Sequence, residues 1–340
     1  TDTATVTIAP PGARKTLDTS EIVNSHNSAS QVVIGELVTY TLTITVPEGT
    51  TPGVTVVDNL DTGLAFVAFH GLTNSNPGQV TFTGSITPTI TNSGRRITFN
   101  LGTITNTNTN DTVAETLSLT YRVVVLNVSG NQNNTRLNNS AVISWLGGSL
   151  AAVSAPNVTV IEPVLDTAKT AKVGSGGTSG DAGDPITYTI TLKHTATSTA
   201  DAFDVTFSDP LPTRGGASLI LGPSFTVADS AGLVTADAFE LVGSDTTGWT
   251  LRTQDCVSFD MPLDTTRVIT LTVYGTLSGS VLPGESLVNT ATAQWTSLDG
   301  DPGQRSSYNT NSTERTGAGG VNDYSDPGQV TITINNIGPT

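Results

Sequence analysis

Hydrophobic and polar residues alternate with a period of two along several stretches of the chain. The stretch LVTYTLTITV, at 37–46, places its Val, Tyr, Leu and Ile side chains on one face and threonines on the other. The stretch PITYTITL, at 185–192, repeats this arrangement. Because successive side chains of a strand point to opposite faces of a sheet, the pattern predicts β-strands that bury one face and expose threonine on the other.

Several segments of the first half recur in the same order in the second half. Four such pairs are VTVVDNL (54–60) with VTFSDPL (205–211), ETLSLTYRVVV (115–125) with RVITLTVYGTL (267–277), LNNSAVISW (137–145) with LVNTATAQW (287–295), and PNVTVIEP (156–163) with GQVTITIN (328–335). Short strands separated by turn residues are typical of Ig-like sandwiches. The sequence therefore predicts an all-β chain of two tandem Ig-like β-sandwich domains, at 11–162 and 163–340, in an elongated arrangement.

The segment 1–10, TDTATVTIAP, resembles the end of a repeat, SDPGQVTITIN at 325–335. We interpret it as the terminal strand of a preceding repeat or as a linker. Strand 1–8 pairs either within its own molecule or with a neighbouring one by β-augmentation. The joints between repeats, IAPPGARK and IEPVLDTAK, are short and contain proline, so we expect semi-rigid spacers.

Composition excludes several classes of partner. The 340 residues carry 14 basic and 29 acidic side chains, a net charge of −15, which disfavours nucleic acid and anionic membrane surfaces. No apolar run is long enough to span a bilayer, so we expect no membrane insertion in this segment. The single cysteine, Cys256, permits no internal disulfide, and we expect it to be buried as a small hydrophobic residue.

Lysine is rare, and its positions are informative. Two of the four lysines, Lys15 and Lys169, stand near the start of the two repeats. Strand parity places Lys169 on the same face as Leu165, Ala171 and other apolar residues, and Lys15 on the same face as Leu17. Both lysines are therefore predicted to point toward a core.

Parity also predicts inward polar partners for these lysines. Asp58 shares its face with Val54 and Val56, and Asp209 occupies the matching position of the second repeat. Asn139 and Asn289 fall on the core-facing side of a later strand. Burying these groups is costly unless they satisfy one another. Two interpretations remain open: a hydrogen-bonded ion pair with an amide, or a covalent bond in which a neutral lysine amine attacks the asparagine amide and releases ammonia.

The motifs K-T, G-[DE]-x-x-T-Y-T, V-x-D-x-L and N-[ST]-A, in this order, resemble the conserved-repeat domains ("domain of unknown function eleven" type) of bacterial surface proteins. The stretch TERTGAGGVNDYSDPGQVTI, at 313–332, also resembles the repeat ends of that family. Related Ig-like adhesin domains carry Lys–Asn isopeptide bonds that form with the help of an acid. The resemblance implies Lys15 bonded to Asn139 with Asp58 assisting, and Lys169 bonded to Asn289 with Asp209 assisting.

Acidic loops raise the question of calcium, which takes six to eight oxygen ligands. The loop SLDGDPGQ offers Asp299 and Asp301, and GGVNDYSD offers Asp323 and Asp326. Neither loop has EF-hand spacing, and solvated turn residues are the alternative interpretation. No cofactor is required by the sequence, and Ca²⁺ is the metal that we consider.

We expect no enzymatic turnover, because the three histidines are isolated and no nucleophile-elbow motif occurs. Autocatalytic crosslinking within one chain is the chemistry considered. The sequence predicts a stalk or shaft segment of a large extracellular bacterial surface protein, of adhesin or fimbrial type, whose partners are adjacent repeats. The alternatives are a module that binds a host or surface glycan or protein, for which we would examine 214–250 around Trp249, and a filament subunit joined by docking of strand 1–8.

Overall fold

A computed structural model describes residues 9–110, 112–317 and 323–336. By backbone packing the chain divides into two compact units. Unit 1 comprises Thr1–Ile161 with Asp301–Glu314, and unit 2 comprises Glu162–Gly300 with Arg315–Thr340. The strand predicted at 1–8 lies outside the described residues, so its pairing stays a prediction.

Within the described residues, unit 1 is built from short and long β-strands. They are β1 (Gly12–Ser20), β2 (Gln31–Val32), β3 (Leu37–Val46), β4 (Gly49–Leu60), β5 (Leu64–Asn74), β6 (Val80–Phe82), β7 (Thr89–Thr91), β8 (Arg96–Asn106), β9 (Glu115–Val125), β10 (Arg136–Leu137), β11 (Asn139–Trp145), β12 (Gly148–Ser149), β13 (Val153–Ser154) and β14 (Val158–Val160).

Two antiparallel sheets form the sandwich of unit 1. One sheet has the order β1-β3-β9-β5, and the other has the order β12-β11-β4-β8-β6, with β13 paired to β11 and β7 paired to β8. A small third sheet, β10-β14-β2, includes a parallel pair between β14 and β2. The first strand of the unit, β1, therefore lies at an edge of its sheet.

The predicted alternation is confirmed in β3, where every second residue is buried. Its inward residues, such as Tyr40 and Leu42, share one core with Val56 of β4 and Phe99 of β8 in the facing sheet. Each large apolar side chain buried in this way contributes about 1.5–3 kcal/mol relative to exposure. The threonines on the other face of β3 are only half-buried and form cross-strand hydroxyl contacts, such as Thr41 with Thr120 at 2.8 Å.

Unit 2 follows the same plan in its described part. Its elements are β15 (Leu165–Val173), β16 (Ser179–Gly180), β17 (Pro185–His194), β18 (Ala202–Pro210), β19 (Thr213–Arg214), β20 (Ala217–Ser218), β21 (Ile220–Asp229), a 3₁₀ turn (Ala236–Ala238), β22 (Phe239–Ser244), β23 (Gly248–Thr253), β24 (Phe259–Met261), β25 (Ile269–Leu277), β26 (Ser286–Thr296) and β27 (Ser325–Ile334).

The sheets of unit 2 correspond to those of unit 1. One has the order β15-β17-β25-β21, and the other has the order β16-β27-β26-β18-β23-β22, with β24 paired to β18. A short hairpin pairs β19 with β20. Both main sheets contribute to a single core. The chain is thus all-β and Ig-like in its sandwich architecture, as the sequence predicts.

Residues 301–314, which the sequence places inside the second repeat, pack with unit 1. The Ser306 hydroxyl donates to the Phe66 carbonyl at 2.6 Å, and the Asn309 amide donates to the Ser93 carbonyl at 3.1 Å. The segment has no regular strand pattern, and side-chain to backbone hydrogen bonds of this kind hold it. The domain boundaries expected at 11–162 and 163–340 stay a prediction.

The expectation that Cys256 is buried is wrong. Cys256 is exposed and has a left-handed φ of 61°. It lies in the turn that follows β23, where the Val257 N–H donates to the Gln254 carbonyl at 3.0 Å. The turn geometry directs the thiol outward, which overrides the usual preference of free cysteine for the interior.

Across the described ranges, no helix has the length and apolar character needed to cross a membrane.

Candidate functional site

The predicted polar residues of unit 1 meet between its two sheets. Lys15 lies on β1, opposite Leu42 of β3. Asp58 lies on β4 of the facing sheet, and Asn139 begins the neighbouring strand β11. In the β4–β11 register Asp58 is opposite Ala141, two residues beyond Asn139. The side-chain alternation of three separate strands therefore directs these groups into one place, as parity predicts.

The three side chains of this site are in direct contact. Lys15 Nζ lies 2.5 Å from Asp58 Oδ2 and also contacts Asn139 Oδ1. The side chains of Lys15 and Asp58 are 0% and 1% exposed, and Asn139 is fully buried. A lysine amine is thus held against the amide of a residue 124 positions later, in a place that water does not reach.

Two tyrosines enclose the amine of Lys15. Its Nζ lies 5.7 Å from the ring centroids of Tyr40 and Tyr121, which face each other across β3 and β9. The Tyr121 hydroxyl donates to Asp58 Oδ2 at 2.5 Å and accepts from Asn139 Nδ2 at 3.2 Å. Sequence reasoning missed Tyr121, although its alternation with inward leucines on β9 predicts that it points into the core.

Burial sets the ionisation of the pair. Desolvation lowers the pKa of Lys15 from 10.5 to about 8, and the nearby Asp58 carboxylate opposes this shift. Desolvation raises the pKa of Asp58, against the effect of Lys15 and the Tyr121 hydrogen bond. Both shifts favour the neutral forms, because a low-dielectric interior penalises charge. Proton transfer from Lys15 to Asp58 would yield the uncharged amine that nucleophilic attack requires.

Unit 2 repeats the arrangement. Lys169 on β15 is opposite Ile190, and its Nζ lies 2.5 Å from Asp209 Oδ2 on β18. Both side chains are 0% exposed. Asn289 on β26 is buried, and Lys169 Nζ lies 4.8 Å from the ring centroid of Tyr188. Burial lowers the pKa of Lys169 and raises that of Asp209, as in unit 1.

The two sites differ around the asparagine. Among the described residues, neither amide atom of Asn289 has a hydrogen-bond partner of normal geometry. The amide is nevertheless close enough to Asp209 and Tyr188 to counteract the rise in the pKa of both. Tyr188 is opposite Val273, just as Tyr40 is opposite Tyr121. Val273 therefore occupies in unit 2 the position of Tyr121 in unit 1, and it has no hydroxyl.

The predicted calcium ligands are not gathered into one group. Asp301 accepts a hydrogen bond from the Gly303 N–H at 2.8 Å within its own turn. Asp326 accepts one from the Thr167 N–H at 2.6 Å. In the described part of the chain, neither these two nor Asp323 belongs to a cluster of carboxylates with metal-ligand spacing.

Asp299 has acidic neighbours that the sequence did not predict. Its carboxylate lies with those of Asp204 and Asp260, with ligand oxygens within 4.8 Å of one another. Desolvation and the charges of these neighbours raise the pKa of Asp260. Asp204 already accepts hydrogen bonds from the Ser258 hydroxyl and the Gly300 N–H. Calcium binding stays a prediction.

No family model matches the chain, and no curated protein matches it. Among solved structures, it is similar to the C-terminal domain of the Streptococcus pyogenes antigen I/II-family protein AspA, with 13% identity, a TM-score of 0.41 and coverage of 95% of this chain and 99% of that one. It is also similar to a 35 kDa C-terminal fragment of the major pilin GBS80 of Streptococcus agalactiae, with 10% identity, a TM-score of 0.28 and coverage of 83% and 85%.

A third similar structure is the collagen-binding domain from a Staphylococcus aureus adhesin, with 11% identity and a TM-score of 0.27, covering 50% of this chain and 97% of that one. Likeness at these levels carries no argument about function. The resemblance to the conserved-repeat family stays a prediction, and the function has to be argued from the two buried sites.

Proposed function

We propose that this chain is a structural segment of a bacterial surface protein, of adhesin or fimbrial type, whose units are each stiffened by an internal Lys–Asn isopeptide bond. The bonds join Lys15 to Asn139 and Lys169 to Asn289. The observation that carries the proposal is the contact of Lys15 Nζ with both Asn139 Oδ1 and Asp58 Oδ2 in a buried site.

The chemistry uses only side chains of the chain itself. Lys15 first passes a proton to Asp58, which leaves a neutral amine. The lone pair of Nζ then attacks Cγ of Asn139, so that the Nζ–Cγ bond forms and the Cγ–Nδ2 bond breaks. One proton moves from Nζ to Nδ2, and ammonia leaves. Effective molarities for such oriented intramolecular reactions reach about 10⁵–10⁸ M, which offsets the poor leaving group.

The reaction occurs once per site, so the protein is not a turnover enzyme. Each bond would tie the first strand of one sheet to a late strand of the facing sheet. A pull on the chain before Lys15 and after Asn139 would then pass through the bond and bypass the 124 positions between them. For Lys169 and Asn289 the separation is 289 − 169 = 120 positions. This is the mechanical property that a shaft needs.

The proposed extracellular location rests on the resemblance described from sequence and on the acidic, threonine-rich surface. In that setting the partners of each unit are adjacent repeats. Disulfides stabilise many extracellular domains, and the single cysteine of this chain rules out an internal one. Covalent Lys–Asn bonds would supply the same kind of stabilisation.

A second function, ligand binding by unit 2, is favoured by one observation. A groove of about 730 Å³ runs along the outer side of β18, β23 and β26, and most of its lining residues have polar side chains, Arg252, Asp255 and Gln294 among them. Such a groove suits a hydrogen-bonding ligand such as a glycan. Trp249, the predicted place to look, lies on the adjoining hairpin, where its indole N–H donates to Asp245 at 2.8 Å. Glycan-array binding that Arg252→Ala abolishes would support this function.

Intact mass spectrometry of the purified protein tests the main proposal. Two isopeptide bonds lower the mass by two molecules of ammonia relative to the sequence. Lys15→Ala and Asn139→Ala should each restore one of these losses, and Lys193→Ala, at an exposed lysine, should restore none. Tandem spectra of the Lys15–Asn139 crosslinked peptide locate the bond. A mass equal to that of the sequence would refute the crosslinks and leave two buried ion pairs.

A further inference from the structure

The Tyr121 hydroxyl bridges the acid and the leaving group of the unit 1 site. It lies 2.5 Å from Asp58 Oδ2 and 3.2 Å from Asn139 Nδ2. The other amide atom, Oδ1, faces Lys15. The nitrogen that must depart as ammonia is therefore turned toward the tyrosine hydroxyl, on the side away from the attacking amine.

We propose that Tyr121 is a catalytic residue of unit 1, which delivers to Nδ2 of Asn139 the proton that lets it leave as ammonia. This inference rests on the proposed isopeptide function and adds a proton path to it. The path is Lys15 Nζ to Asp58, Asp58 to the Tyr121 hydroxyl, and the Tyr121 hydroxyl to Nδ2.

The steps of this path balance. In the starting amide Nδ2 has no available lone pair, so it donates to Tyr121. After the neutral Lys15 amine has attacked Cγ, Nδ2 becomes tetrahedral and acquires a lone pair, and the direction of that hydrogen bond reverses. Tyr121 gives its proton to Nδ2 and takes the proton of Asp58, and Asp58 takes the extra proton of Nζ. Cγ–Nδ2 then breaks and the Oδ1 carbonyl re-forms. Tyr121 ends as it began, and Asp58 ends with the one proton that it first took from Lys15.

Tyr40 provides an internal comparison. Its ring is the same distance from Lys15 Nζ as that of Tyr121, and it is equally buried. Within the described residues, however, the Tyr40 hydroxyl has no hydrogen-bond partner. Both rings therefore enclose the amine, but only the Tyr121 hydroxyl contacts two reacting groups.

Unit 2 provides a second comparison, because Val273 occupies the matching position. There the acid Asp209 has to reach the leaving nitrogen of Asn289 directly. Among the described residues that nitrogen has no hydrogen bond of normal geometry, although the amide lies close enough to Asp209 and Tyr188 to counteract the rise in their pKa values. The inference therefore predicts that the bond of unit 1 forms faster than the bond of unit 2.

The experiment follows bond formation in the full chain after cell-free synthesis, with intact mass for the total ammonia loss and peptide mapping to assign each bond. General acid–base catalysis typically contributes about 10²–10⁴-fold, so Tyr121→Phe should slow the unit 1 bond by at least about tenfold and leave the unit 2 bond unchanged. Tyr40→Phe is the matched control and should change neither rate. Near-ultraviolet circular dichroism verifies that each variant folds.

A second experiment keeps the hydroxyl of residue 121 and changes only its acidity. A fluorotyrosine placed at 121 alone keeps the ring packing and makes the hydroxyl more acidic, so the unit 1 rate should shift by more than twofold. A purely structural role would leave that rate unchanged. If Tyr121→Phe and the fluorotyrosine protein both form the bond at the normal rate, the relay is refuted and the crosslink stands. If the unaltered chain forms no Lys15–Asn139 bond, both the proposed function and the relay fail.

Discussion

Lys15 and Asn139 are in contact across the interior of unit 1, although they stand on different sheets and 124 positions apart. Lys15 projects from an edge strand, and Asn139 begins a strand of the facing sheet. Asp58 completes the contact from the strand beside Asn139. A group that links the sheets at this point affects stability, mechanics and reactivity together, and each effect can be measured separately.

The first prediction concerns stability. Lys15→Ala removes the proposed bond, and in a chain that has not formed the bond it removes the cation of the buried pair with Asp58. Removing one partner of a buried ion pair typically costs about 3–5 kcal/mol. We therefore expect the free energy of unfolding of unit 1, measured in urea, to fall by at least that amount. Lys193→Ala removes a pair with Asp166 whose side chains are 44% and 45% exposed, and should cost about 0–1 kcal/mol. Equal losses in both variants would contradict the prediction.

The second prediction concerns mechanics. In single-molecule pulling from the chain ends, a bonded unit 1 cannot release the 124 positions between Lys15 and Asn139. At about 3.5 Å per residue, Asn139→Ala should add roughly 400 Å of contour length to the unfolding of unit 1. Asn289→Ala should leave the extension of unit 1 unchanged and lengthen that of unit 2. An unaltered chain that already extends to its full contour length would exclude the bond.

Strand parity was sufficient to predict the inward direction of the lysines, aspartates and asparagines, because it depends only on neighbours along the chain. Which inward residues touch depends on register and on the packing of one sheet against the other, and neither is local. Tyr121 is an example. The alternation on its strand predicts that it points inward, but its place between Asp58 and Asn139 depends on how three strands are aligned, which the alternation does not give. The Asp204, Asp260 and Asp299 group likewise comes from three distant segments.

In segments without hydrophobic–polar alternation, the sequence alone did not predict how the chain packs. Residues 301–314 contain no alternating stretch, and their packing with unit 1 depends on individual hydrogen bonds such as Ser306 to Phe66. Cys256 was assigned by the average behaviour of its residue type, and the local turn placed it outside. The prediction of a sandwich rests on the same alternation pattern in many residues. The packing of residues 301–314 and the exposure of Cys256 each depend on a few local contacts, which the pattern does not describe.

The third prediction concerns pH. Glu36 is fully buried, and desolvation raises its pKa from 4.5 to about 7 although the Ile22 and Val33 N–H groups donate to it. The folded state therefore holds a proton that the unfolded state releases. Its contribution is fully present below pH 4.5 and is lost as the pH rises through about 7. At about 1.4 kcal/mol per pKa unit, unit 1 should lose roughly 3 kcal/mol across that range.

Glu36→Gln tests this dependence. The variant should flatten the pH profile of urea unfolding between pH 4.5 and 7, because glutamine does not titrate. It should also lower stability overall, since the amide nitrogen would face a backbone N–H and leave one donor unpaired, at about 1–3 kcal/mol. The exposed Glu48→Gln serves as the control and should keep the slope. A slope that persists in Glu36→Gln would assign the dependence to other groups.

The fourth prediction concerns the buried pair of unit 2 formed by Arg267 and Asp229. Arg267 donates to both carboxylate oxygens, Nε to Oδ1 at 3.1 Å and Nη2 to Oδ2 at 2.8 Å, with side chains 2% and 0% exposed. Asp229 also accepts N–H bonds from Leu233 and Val234, and these bonds together with Arg267 hold the pKa of Asp229 below its usual range despite desolvation. The carboxylate therefore stays charged and needs its cation.

Arg267→Ala should thus leave an uncompensated buried charge and lower the free energy of unfolding of unit 2 by about 3–5 kcal/mol. Arg267→Lys keeps the charge but replaces the two-pronged guanidinium with a single ammonium, so it should recover only part of the loss. The matched control is Arg252→Ala, whose side chain is 35% exposed in its pair with Glu240 and should cost about 0–1 kcal/mol. Urea unfolding of each variant at neutral pH measures the difference. Full recovery with lysine would indicate that charge alone, and not the two-pronged geometry, stabilises this part of the sandwich.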